Sequence, residues 1–264
     1  MTEFENINGL LLDYGGTLDT DGCHWGMKIW HWYEQMQYPI SLETYRNVYV
    51  YAEKTMGSHH YVNPDDTFFN TLKIKMQLQM DYICREITSN WTKIDDTEWG
   101  ELAFCGLDFS NPEAAHTYAL EATHYLYDEV LEQMKQTRRV LKQLAEQYPL
   151  VLVSNFYGNL NTVLKEFGID SYFKKVVESA AVGIRKPDPA IFTAGVKALK
   201  LEPQNVAVIG DSLDKDIIPA KTIGCKTIWL KGEVWKPQTE SHEPDAVVNS
   251  INELPLLLTI KLNK

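Results

Sequence analysis

The sequence has no surplus of basic residues. Its 25 Lys and Arg face 36 Asp and Glu, a formal charge of −11. Nucleic acid needs a basic surface to replace counterions on its phosphates, so it is excluded as a partner. Any anionic ligand must be met by a local cation. No apolar stretch approaches the roughly 18 residues of a membrane span, so no membrane partner is expected. Met1-Thr2-Glu3-Phe4-Glu5 is acidic and lacks the apolar core of a secretory signal, which predicts a cytoplasmic protein. Asn90-Trp91-Thr92 fits a glycosylation acceptor, but without a secretory signal it reads as ordinary surface. Cysteine is scarce: Cys23, Cys84, Cys105 and Cys225 form no C-x-x-C pair and no zinc spacing, and read as reduced thiols. Internal repeats and low-complexity linkers are also absent.

What remains is an ordinary globular composition, 44% apolar and 23% charged over 264 residues, enough for one large domain or two modest ones. From about Asp21 to Arg138 there is almost no β-branched run, and aromatics crowd in, Trp25, Trp30, Trp32, Tyr33, Tyr45 and Tyr49 among them. Met27, Trp30, Tyr33 and Met36 recur at helical spacing, as do Leu120 to Met134 more loosely. Ser41 and Asn111 are expected helix N-caps. From about Arg139 strands and helices alternate. Apolar runs at Leu150–Val153, Val176–Val177, Val206–Ile209, Thr227–Leu230 and Ala246–Val248 read as strands. Helices are expected near 140–145, 160–167, 191–199, 216–223 and 251–258. That alternation predicts an α/β fold, a three-layer Rossmann-like parallel sheet with right-handed crossovers. The core takes residues 1–20 plus 135–264, and residues 21–134 form an inserted α-helical cap domain.

The polar residues at the strand ends carry the chemistry. The run from Ile7 to Leu12 stops at Asp13-Tyr14-Gly15-Gly16-Thr17, and Leu150–Val153 stops at Ser154-Asn155. Val206–Ile209 stops at Gly210-Asp211, with Asp216 five positions on, and Lys186-Pro187 precedes a helix. In a parallel sheet these ends share one edge. Carboxylates gathered there repel one another unless a cation sits among them. Two or three carboxylates with backbone oxygens suit Mg²⁺, and a hydroxyl and a lysine opposite can hold a phosphate.

Asp-x-x-Gly-Thr at 13–17, Ser154-Asn155, Lys186-Pro187 and Gly210-Asp211-x-x-x-x-Asp216, in this order, resemble the four motifs of the haloacid dehalogenase-like hydrolase superfamily. The insertion lies where that superfamily carries its type 1 cap. The resemblance implies a phosphatase with Asp13 as nucleophile, Thr17 supporting its loop, and Ser154, Asn155 and Lys186 on the phosphoryl group. It also implies Mg²⁺ bound by Asp13, the Gly15 carbonyl and Asp211, with Asp216 orienting a water. The substrate would be a small phosphorylated molecule, and the protein a monomer or homodimer.

One departure stands out. Phosphatases of the superfamily have a general acid–base Asp two positions after the nucleophile, where this chain has Gly15. General acid–base help is worth about 10²–10⁴ in rate. One reading is a phosphatase for acyl or aryl phosphates, or one using Asp19, Asp21 or His24 as a substitute acid. A second is a phosphonatase, a branch that also lacks this Asp, with Lys54 as its Schiff-base lysine. A third is a low-turnover module that binds a phosphorylated ligand. Dehalogenases work without Mg²⁺, and retention of Asp211 and Asp216 argues against that branch. His59 and His60 are expected specificity contacts.

Overall fold

The computed structural model describes residues 4–58, 60–89, 99, 101–102, 108–109, 111–235 and 244–258. The expected contact His59 and the thiol of Cys105 lie outside the described residues. The chain divides into two compact units, Met1–Trp25 with Val130–Lys264, and Gly26–Glu129.

The first unit is built on a six-stranded sheet in which every neighbouring pair is parallel. Strand β1 (Gly9–Leu12) is followed, after the insertion, by β2 (Leu150–Ser154), β3 (Phe173–Glu178), β4 (Val206–Gly210), β5 (Lys226–Leu230) and β6 (Ala246–Val248). Their spatial order is 3-2-1-4-5-6. β1, β2 and β4 are buried along their whole length, which is why they read as unbroken apolar runs rather than as alternating ones. The sheet reverses its winding beside β1, and open α/β sheets bind ligands outside the strand ends at such a point. Register fixes what meets there. Leu12 lies beside Leu152 on one side and Ile209 on the other, so the residues after β1 and β4 emerge together.

The second unit contains helices α1 (Trp25–Gln35, whose first residue belongs to the first unit), α2 (Leu42–Ser58) and α3 (Phe68–Ser89). Ser41 caps α2 by accepting the Thr44 N–H at 3.2 Å. The buried face of α1 is Met27, Ile29, Trp32 and Tyr33; Met36, expected on that face, lies beyond the helix and is exposed. The reason is Gln37, whose φ of 56° turns the chain out of the helix. Trp32, Tyr33, Tyr38 and Tyr45 pack on one another with ring centroids 4.9–5.5 Å apart. These aromatics form a core of their own.

Helix α4 (Pro112–Ala145) is a single element of 34 residues and belongs to both units. The sequence pattern treats residues 120–134 and 140–145 as separate helices. They are one because no Gly or Pro interrupts residues 113–145. Asn111 caps it, its Oδ1 accepting the Glu113 N–H at 2.9 Å.

The later helices are α5 (Leu160–Glu166), α6 (Ser179–Val182), α7 (Ala190–Leu199), α8 (Ile218–Thr222) and α9 (Leu254–Leu258). Ile191, Phe192, Val196 and Leu199 of α7 pack against Leu11, Val151, Val153 and Val208 of the sheet. Gly195 permits the approach: a Cβ there would lie 2.9 Å from Val153 and 3.0 Å from Leu11. The helix expected over 216–223 starts earlier, as a π-turn at Leu213–Ile217 that runs into α8. Ser212 opens that turn by accepting the Lys215 N–H. Among the described residues no helix is long and apolar enough to cross a membrane.

Candidate active site

Asp13 leaves β1 with its N–H donated to the Ile209 carbonyl at 3.0 Å, which extends the ladder by one residue. The chain then tightens into a turn in which the Tyr14 carbonyl accepts the N–H groups of Thr17 and Leu18. Gly16 sits at φ 92°, and a Cβ on it would fall 2.5 Å from the Asp211 carboxylate. A Cβ on Gly210 would likewise meet Asp216 at 2.5 Å. Both glycines are therefore the space in which the acids sit.

Asp13, Asp211 and Asp216 are all buried and offer oxygens within 4.8 Å of one another. Lys186 Nζ donates to Asp13 Oδ1 and to Asp216 Oδ1, each at 2.6 Å. Thr17 Oγ1 accepts the Asp211 N–H at 3.1 Å. It points its one proton at the carboxylates, with Asp211 Oδ1 at 3.1 Å and Asp13 Oδ2 at 3.3 Å. Asp216 Oδ2 accepts the Ser212 N–H at 3.2 Å.

Three carboxylates share one ammonium, so the fully ionised cluster is two charges negative. The acids register this. Burial, then the charges of Asp13 and Asp216, hold Asp211 well above the usual carboxylate range, against the Thr17 hydrogen bond and Lys186. Burial raises Asp216 to about 6, with Lys186 opposing and Asp13 adding to the rise. Burial alone would lower Lys186, but Asp13 and Asp216 outweigh it and hold the ammonium above its ordinary value.

Ser154 is buried at the last position of β2, level with Glu178. Asn155 grips the backbone of Lys186 from both sides: its Oδ1 accepts the Lys186 N–H at 2.9 Å and its Nδ2 donates to the Lys186 carbonyl at 3.1 Å. Residue type and spacing give no hint of that clamp, nor of Trp229, whose Nε1 holds the Asp211 carbonyl at 2.8 Å.

A Cβ on Gly15 would meet nothing within 4 Å, so the place of the absent acid is open space. Two of the three candidate substitute acids, Asp19 and Asp21, are engaged in hydrogen bonds. Asp19 accepts the N–H of Gly16 and the indole N–H of Trp25. Asp21 accepts Ser250 Oγ at 2.9 Å and the Ile251 N–H at 2.7 Å. The ring of His24 lies 5.7 Å from that of Trp235. Lys54 is exposed on α2 of the second unit, as is His60 just beyond that helix.

The family model of the haloacid dehalogenase-like hydrolase matches residues 7–224, which take in all four motifs. The chain belongs to this family. Among curated relatives, it is 31% identical over 153 residues to a glyceraldehyde 3-phosphate phosphatase of Pyrococcus furiosus, a match covering 57% of this chain and 62% of that one. It is 30% identical to a phosphoserine phosphatase of Thermus thermophilus over 54% of this chain and 55% of the other. With an N-acylneuraminate-9-phosphatase of Rattus norvegicus the identity is 26%, over 76% and 81%. The first two matches thus span little more than half of their relatives' lengths. Solved structures share the fold at low identity. One is a predicted phosphoglycolate phosphatase of Haemophilus somnus, with a TM-score of 0.53, 20% identity and 96% and 98% coverage. Another is YfnB of Bacillus subtilis, solved with magnesium, with a TM-score of 0.51, 17% identity and 96% and 99% coverage. In this family member the six-stranded α/β core delivers the motif residues to one sheet edge.

Proposed function

We propose that the chain is a Mg²⁺-dependent phosphatase of a small phosphorylated molecule, working through a phosphoryl group carried on Asp13. The observation that carries this reading is the charge of the cluster. A buried site that is two charges negative when fully ionised, with two of its acids resisting that ionisation, fits one divalent cation bound by carboxylate and carbonyl oxygens. Asp13, Asp211 and the Gly15 carbonyl would hold Mg²⁺, with Asp216 beside them. When bound, the ion would offset the charge of the phosphate oxygens.

This chain's own groups then divide the work. One Asp13 carboxylate oxygen attacks phosphorus, the bond from phosphorus to the leaving oxygen breaks, and that oxygen departs as an anion that takes a proton from solvent. Water next attacks the aspartyl phosphate, releasing inorganic phosphate and restoring Asp13. Lys186 keeps the attacking carboxylate aimed and faces the incoming anion with positive charge, while Asn155 fixes its backbone. Ser154 and Lys186 would line the phosphoryl site. With Gly15 in place of an acid, and Asp19 and Asp21 engaged elsewhere, leaving groups that need little protonation are favoured. Those are acyl and aryl phosphates.

The direct test is hydrolysis of p-nitrophenyl phosphate, expected with Mg²⁺ and lost in EDTA. Acid quenching should trap a protein heavier by one phosphoryl group on Asp13. Slow binding of phosphate esters without that adduct would instead make the protein a binding module.

The raised acids also set a pH dependence. A carboxyl with a folded pKa above its unfolded value binds its proton more tightly when folded, so metal-free stability falls as pH rises between the two values. For Asp216 that window runs from the ordinary 3.8 to about 6. Mg²⁺ replaces the lost protons, so its effect on the melting temperature should be small at pH 5 and clear at pH 7.5. An equal shift at both values, by scanning fluorimetry, would contradict this.

A further inference from the structure

The peptide joining Gly15 to Gly16 has two consecutive glycines and no side chain to bias it, yet it is held firmly. Its N–H, on Gly16, donates to Asp19 Oδ1 at 2.7 Å. Asp19 is only 1% exposed, and its Oδ2 is anchored by Trp25 Nε1 at 2.8 Å. The Gly16 carbonyl is tied in turn to the Gly22 N–H at 2.7 Å. Gly16 itself lies against the Asp211 carboxylate.

A peptide group is planar, and in the trans form its N–H and C=O point in opposite directions. Fixing the Gly16 N–H on Asp19 therefore fixes the Gly15 carbonyl oxygen on the far side of the same plane. The acceptor is a carboxyl oxygen 2.7 Å away, and a hydrogen bond that short also polarises the peptide and shifts electron density toward its carbonyl oxygen. Partners one bond behind a metal ligand orient it and tune its donor strength in this way.

We propose that Asp19 is a positioning residue that aims and strengthens the Gly15 carbonyl as a ligand for a divalent cation, with Trp25 holding the Asp19 carboxylate in place. The proposal rests on the reading of Asp13, the Gly15 carbonyl and Asp211 as the cation site. It gives Asp19 a role different from that of a substitute acid, because both its oxygens already accept hydrogen bonds.

The test is Mn²⁺ affinity, measured from the electron paramagnetic resonance signal of free Mn²⁺, with melting temperature recorded for each variant. Asp19→Asn should weaken Mn²⁺ binding by about tenfold or more. Asp21→Asn is the control, since Asp21 ties the same loop to Ser250 and Ile251 rather than to the Gly15–Gly16 peptide. It should lower the melting temperature and leave the affinity within about twofold of wild type, far less than a ligand-shell loss. Asp19→Asn at wild-type affinity, or the two variants weakened alike, overturns the proposal. If Asp19→Asn does not fold, Trp25→Phe decides, with about threefold weakening expected from loss of one anchoring hydrogen bond and wild-type affinity counting against. Asp211→Asn tells the two levels apart: unchanged binding in that variant overturns the cation-site reading itself. Loss of binding there, with Asp19→Asn unaffected, overturns only the role of Asp19.

Discussion

Asp13→Asn is expected to lower turnover of p-nitrophenyl phosphate by at least about 10⁴-fold, because an amide oxygen cannot replace an ionised carboxylate as nucleophile. The fold should survive. Asn is nearly the same shape, and Lys186 keeps its 2.6 Å bond to Asp216. The charge of Asp13 is one of the causes that raise Asp211 and Asp216, so its removal relieves both. The variant's melting temperature in EDTA should therefore equal or exceed that of wild type. A variant retaining even one hundredth of the activity would remove Asp13 from the covalent step. A variant that is inactive because it is unfolded would show in the melting curve, so the two outcomes separate cleanly.

The second large effect runs in the opposite direction. Gly15→Asp should raise turnover of an alkyl phosphate by about 10²–10⁴, the usual worth of a positioned general acid, while changing aryl phosphate turnover far less. The substitution is sterically free: the added Cβ meets nothing within 4 Å, and Gly15 is not among the residues with positive φ. Gly16, one residue later, offers no such opportunity, since its Cβ would strike Asp211. Comparing alkyl with aryl substrates in both proteins isolates the proton. No gain on the alkyl ester would mean that another group in the wild-type protein already supplies it.

Much of this was legible in the chain. Apolar runs that stop at Asp13, Ser154 and Asp211 mark fully buried parallel strands, because only such strands can be apolar on both faces. The same runs put their polar ends on one edge, and with them the cluster of Asp13, Asp211 and Asp216. Legibility fails where a contact is long-range and carries no periodic signal. Asn155 looks like a phosphate ligand by its place after Ser154, yet its amide is spent on the backbone of Lys186, 31 residues away. Trp229 reads as one more apolar strand residue, and only packing reveals that its indole holds the Asp211 carbonyl. Asp19 and Asp21 looked equivalent as stray acids beside the motif, but one grips the Gly16 peptide and the other the start of the C-terminal turn. The sequence reads helix α4 as two helices because its apolar pattern is loose in the middle, though nothing in it breaks the backbone.

The position of β1 in the sheet has a consequence for how the molecule is made. Leu10 pairs with Leu150 on one side and with Ala207 on the other, so the strand that carries Asp13 is synthesised first and finds its neighbours late. While the ribosome completes the helices of the insertion, Gly9 and three leucines with both backbone edges open have no sheet to join. Such an edge invites pairing with other chains. The unit Gly26–Glu129 is one continuous stretch of chain and can form earlier. The strand that leads to Asp13 is thus the first of the sheet to be made and must wait for both of its neighbours, which exposes it to misassembly in a nascent chain.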